Sequence, residues 1–248
     1  MNRRFNVRHR LDDWFWFGFL ALGLGAIYFG FSDPVIRRFS GTAAYPAPLS
    51  LQVHVWSVSA WIVLVLMQVT LIRIRRLAFH RLLGWTLVGL VPIILVSGLW
   101  AEIISERFYE TRFPDYVRFF HVPLAQMGGF GVFAALAFHS RRRPASHKRY
   151  IFLATSSLLG AAFGRAWGEY IDGAAADWSP LWRDFVGYHF GFMVLAALAI
   201  AYDLYTRRRV HPVLLIGIPL ALAIMLAMTA ASLSDVWPTA VRRLLGIS

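Results

Sequence analysis

With 248 residues, 58% of them apolar and only 15% charged, the chain is too poor in charge for a soluble domain, which carries about 25%. Its formal charge of +12 would point to nucleic acid in a soluble protein, but here the charges sit between nearly uncharged stretches of roughly 20 residues, the length that crosses a hydrocarbon core of about 30 Å. Cysteine is absent, which excludes disulfides, thiolate metal sites and Cys-anchored c-type haem.

The composition therefore predicts an all-α, polytopic transmembrane helix bundle, one domain over residues 1–248, with the lipid bilayer as its partner and no nucleic acid. The basic start MNRRFNVRHR followed by an apolar run raises the question of a signal peptide. The run from Trp14 to Phe31 is long for a secretory h-region and rich in aromatics, so it reads as a first transmembrane helix. Six more follow, giving spans near 14–31, 50–72, 82–104, 117–139, 149–172, 183–206 and 212–233.

Arginine sets the orientation. One side carries 16 basic residues: Arg3, Arg4, Arg8 and Arg10 in the tail, then the loops Arg73–Arg81, Arg141–Arg149 and Arg207–Arg209. The other side carries eight, among them Arg37, Arg107, Arg118 and Arg242, which places the N-terminus in the cytoplasm and the C-terminus outside. Small residues at Ser156, Gly160 and Gly164, and at Gly128, Gly129, Gly131 and Ala135, predict close helix contacts. Pro92, Pro123 and Pro219 fall inside spans as potential kinks.

Histidine follows a pattern of its own. His54, His121 and His189 each open a helix entering from the outside, and each is followed by an apolar run, an arginine cluster and a second histidine, His80, His147 or His211. A threefold hairpin repeat would produce this, and so, for the arginines alone, would the positive-inside rule acting on three hairpins. The inner trio reads as solvated or headgroup-contacting. The outer trio shares its depth with Glu102, Arg165, Glu169 and Asp172, the last three at i, i+4 and i+7 on one face of the fifth helix. On the second helix His54, Ser57, Trp61 and Gln68 form a polar stripe that should face protein. Ionisable groups within a bilayer are costly and mark functional sites.

Three chemistries use such groups. Haem b takes two imidazoles, with His54, His121 and His189 as candidate axial ligands and Arg165 near the propionates. Another transition metal would take the same three histidines with Glu102 or Glu169. Either would serve membrane electron transfer. A proton- or ion-coupled carrier would use the carboxylates, Arg165 and the histidines as a relay, and a cofactor-free accessory subunit would use them only for packing. No HExxH, P-loop or GxSxG motif is present.

Two segments add a resemblance. HRLLGW, with His80, Arg81 and Gly84, and HKRYIFLATSSLLGAAFGR, with His147, Lys148, Arg149, Leu153, Ala154, Thr155 and Arg165, resemble a family of bacterial multi-pass membrane proteins with no established activity. Tyr150 stands where that family has an aliphatic residue. The resemblance covers roughly residues 50–170 and implies a bacterial inner-membrane location, without implying a reaction.

Overall fold

The computed structural model describes residues 5, 9–113 and 115–247. Arg3, Arg4 and Arg8 of the basic tail lie outside them. Among the described residues there are eight α-helices and no strand. They are α1 (Asp12–Phe39), α2 (Leu49–Arg73), α3 (Leu77–Glu110), α4 (His121–His139), α5 (Pro144–Ala174), α6 (Pro180–Arg207), α7 (Pro212–Ser232) and α8 (Val236–Leu245). A 3-10 turn, Tyr116–Phe120, leads into α4.

Six of these helices are long and apolar enough to cross a bilayer: α1, α2, α3, α6, α7 and the unit formed by α4 with its 3-10 turn. Their outer faces carry Trp56, Trp85, Trp100, Val96 and Phe29, all exposed. So many bare large apolar groups belong against lipid rather than water, and the molecule has the surface of a multi-pass membrane protein.

The seventh expected span, α5, is not among the six because it is rich in Ser, Thr, Gly and charge. Its position explains the composition. It packs against α1, α4, α6 and α7, and its middle is enclosed, with Phe152, Leu153, Ala154, Thr155 and Phe163 all buried. A helix surrounded by protein has no lipid to satisfy, and small residues bring its neighbours close. A Cβ at Gly30 of α1 would lie 2.5 Å from the Ala162 carbonyl, one at Gly160 2.7 Å from the Gln126 amide of α4, and one at Gly191 of α6 would collide with Phe163.

The helices overrun several of the expected limits. The third continues to Glu110, so its 34 residues measure about 51 Å, well beyond a bilayer core of about 30 Å. The first runs on through Pro34 to Phe39. The eighth has no counterpart among the sequence spans. It is amphipathic, and its Val241 and Leu245 form a small core with Val117 and Phe120 of the 3-10 turn.

Polar contacts fasten that end. The Trp237 indole donates to the Val117 carbonyl at 3.1 Å and Arg107 Nε to the Leu245 carbonyl at 2.8 Å. Arg242 pairs with Glu110 and Asp115. Pro123, expected as a kink, stands in the first turn of α4, where proline is tolerated.

Candidate functional site

The residues expected to share one depth divide into three parts. His121 begins α4 and His189 lies on α6, both buried, at 2% and 1% exposure, and their ring centroids are 6.4 Å apart at 79°. His121 Nδ1 is 2.7 Å from the Arg118 carbonyl. A carbonyl only accepts, so Nδ1 carries the hydrogen and Nε2 keeps a free lone pair. Neither His121 Nε2 nor His189 Nε2 has a hydrogen-bond partner among the described residues. Tyr188, Trp237 and Phe185 enclose the pair with edge-on or tilted rings.

His54 does not join them. It packs against α3, with Nδ1 3.5 Å from Ser97 Oγ and its ring so close to Gly98 that a Cβ there would lie 2.7 Å from Cε1. The rest of its stripe faces protein as the spacing requires, since Ser57, Trp61 and Gln68 are buried.

The third part, one turn further along α3, is a pair of carboxyls. Glu102 and Glu106 stand within hydrogen-bonding reach of each other, with Arg165 and Tyr116 beside them. Glu106 is completely buried, and both its oxygens and Glu102 Oε1 lack partners among the described residues. Two carboxylates cannot bond each other, so contact requires a shared proton or a cation between them. The Tyr45 hydroxyl, also unpartnered, is held above the usual phenol range by burial and by Glu102.

Arg165 forms no ion pair with Glu102 among the described residues, though its charge acts on that carboxyl, and it lies over the Phe31 ring at 5.2 Å. Glu169 is exposed on α5 and forms no recorded ion pair with Arg165. Sequence reasoning missed Glu106, which reads as an outer-loop acid because hydropathy fails at Glu102 and hides the continuing helix. Among the described residues no group of three or more His, Asp or Glu side chains is placed to hold a metal ion.

The inner histidines are not the solvated residues their boundary position suggested. His147 Nδ1 donates to the Ala137 carbonyl at 2.8 Å, tying α5 to the end of α4, and it lies beside His80, whose Nδ1 is buried and unpartnered. His211 is buried and caps α7, its Nδ1 accepting from the Val213 N–H at 3.1 Å. Burial, and then the Arg149 cation, lower its pKa to about 4.

Two ionic groups lie near His211. Arg149 holds Asp203 through two nitrogens, and Asp203 also accepts from the His211 backbone N–H at 3.0 Å. Asp12 receives Arg207 at 3.0 Å, Lys148 at 3.4 Å and the Tyr202 hydroxyl. The His-Lys-Arg segment is therefore an inner lock joining α1, α4, α5 and α6. Comparison with protein-family models, with curated proteins and with solved structures gave no match.

Proposed function

We propose that the chain is a seven-span protein of the bacterial inner membrane, N-terminus cytoplasmic and C-terminus outside, that binds haem b or another transition metal through His121 and His189 for membrane redox chemistry. The observation carrying this reading is the pair of buried imidazoles with two unpartnered Nε2 atoms and centroids 6.4 Å apart. His121 and His189 would supply the nitrogen ligands, and the group they hold would supply the redox chemistry.

The carbonyl of Arg118 supplies the outer support that metal-bound histidines use, fixing the tautomer and raising the basicity of Nε2. Two protein ligands are also the number that iron in a porphyrin takes, which favours haem over a tetrahedral ion. His54 drops out of the ligand set because its ring is engaged with Ser97 and Gly98.

The test is the purified protein itself. A Soret band marks haem, and stoichiometric metal without one marks another ion. Either signal should vanish in both His121→Ala and His189→Ala and survive in His54→Ala. A colourless, metal-free preparation that keeps its fold overturns the proposal, and so does a cofactor retained by both single variants.

A second reading is favoured by the unpartnered Glu102–Glu106 pair. Buried carboxyls next to an arginine and two tyrosines suit a proton- or cation-coupled carrier, in which the shared proton or ion is the cargo. Proteoliposomes would then take up a coupled ion, and Glu106→Gln would abolish the uptake while leaving any His121–His189 signal intact.

A further inference from the structure

Away from both clusters, α4 and α7 diverge and leave a groove of about 740 Å³ open to the side. That volume suits one small ligand. Its walls are aliphatic, with Val132 and Leu136 on one side and Ile216, Leu220 and Ile224 on the other, and Gly128 in its floor. Along α7 it runs from Val213 to Met228, about 22 Å. One leaflet contributes about 15 Å of hydrocarbon, so the groove is long enough to take an acyl chain.

One end is different. Arg209, Ser146 and Tyr150 line the mouth at the arginine-rich side of the molecule. Among the described residues no hydrogen bond or ion pair engages the Arg209 guanidinium, the Ser146 hydroxyl or the Tyr150 hydroxyl. The neighbouring carboxylates do not neutralise them, since Asp203 is taken by Arg149 and Asp12 by Arg207 and Lys148. Every charge left unmatched at the mouth is therefore positive. A bare apolar trough ending in a free guanidinium and two hydroxyls complements an amphiphile with an anionic head.

We propose that this groove binds one anionic phospholipid, its acyl chain along α4 and α7 and its phosphate on Arg209, Ser146 and Tyr150. The site is independent of the histidine pair, and the head is held by charge-assisted hydrogen bonds of the kind arginine forms with phosphate.

Gly128 makes the test clean, because a Cβ built there meets nothing within 4 Å. Gly128→Leu therefore places its first carbon in open space and extends a side chain into the groove, and Leu220→Trp fills it from α7. The detergent-purified full chain is exchanged against phosphatidylglycerol or phosphatidylcholine vesicles, and retained lipid is counted by native mass spectrometry. The wild type should keep one phosphatidylglycerol and little phosphatidylcholine. Both filling variants should lose it at unchanged melting temperature. Arg209→Gln should cut the preference for the anionic lipid about tenfold while still admitting an acyl chain. Equal retention of the two lipids, retention unaffected by both filling variants, displacement by inorganic phosphate alone, or occupation by a neutral isoprenoid would each overturn the assignment.

Discussion

The two ends of the bundle hold similar residue types in opposite states. At the inner end Asp12, Arg149, Asp203 and Arg207 are all buried, and each is matched to an opposite charge. In the outer half His121, His189, Glu102 and Glu106 are no more exposed than intermediate, yet they leave nitrogens and oxygens without partners. A satisfied buried network rigidifies, whereas an unsatisfied one is a cost that a structure tolerates where something else supplies the missing partner. The first cluster is a fastening, and the second leaves hydrogen-bonding capacity open.

Substitutions at the two ends should separate these roles. The largest effect belongs to the inner pair. Arg149→Ala strands the Asp203 carboxylate and should cost about 3–5 kcal/mol, read as a loss of monodisperse folded protein. Removing both charges as Arg149→Met with Asp203→Leu should recover most of that loss. If the double variant were as unstable as the single one, the pair would be doing more than satisfying itself.

The next effect is on pH. His211 has a folded pKa of about 4, below the ordinary value of 6.5, so the unfolded chain binds more protons between those values. Stability from this group is fully present above about pH 6.5 and is lost as pH falls towards 4, by about 3 kcal/mol. Thermal melts of the wild type should decline across that window. Melts of His211→Gln, whose amide oxygen can still cap Val213, should decline less, and parallel curves would show that another group titrates there.

The smallest effect is expected in the outer half. Glu106→Gln replaces one of two facing carboxyls, and if a proton joins them the amide can take its place, so stability should change by no more than about 1 kcal/mol. A much larger loss in the melting temperature would mean that a cation bridges the two acids.

Much of the frame was legible in the chain. Of the seven spans that hydropathy suggests, six are helices long and apolar enough to cross a bilayer, and the stripe of Ser57, Trp61 and Gln68 points inward as helical spacing requires. The helical spacing also places Arg165 and Glu169 on one face of α5. Azimuth around the bundle was not legible. His54, His121 and His189 share a layer, but which of them meet depends on how α2, α4 and α6 are arranged around α5, and tertiary packing decides that. Glu106 was invisible for a different reason: hydropathy marks where lipid ends and says nothing of where a helix ends. Asp12 and Asp203 escaped notice because burial of a charge is legible only once its partner is in place.

The helix α8 gives the outer site a mechanical property. Its Trp237, Val241 and Leu245 grip the 3-10 turn, and that turn carries the Arg118 carbonyl that sets the tautomer of His121. Arg118 is itself anchored at 2.7 Å to the Ser232 carbonyl, just ahead of α8. The last dozen residues thus act as a splint on an imidazole they touch only through Trp237. Cutting the chain after Asp235 would leave His121 and His189 in place and still remove the Trp237 contact and the grip on the turn that bears the Arg118 carbonyl, so α8 is a handle on the orientation of that imidazole.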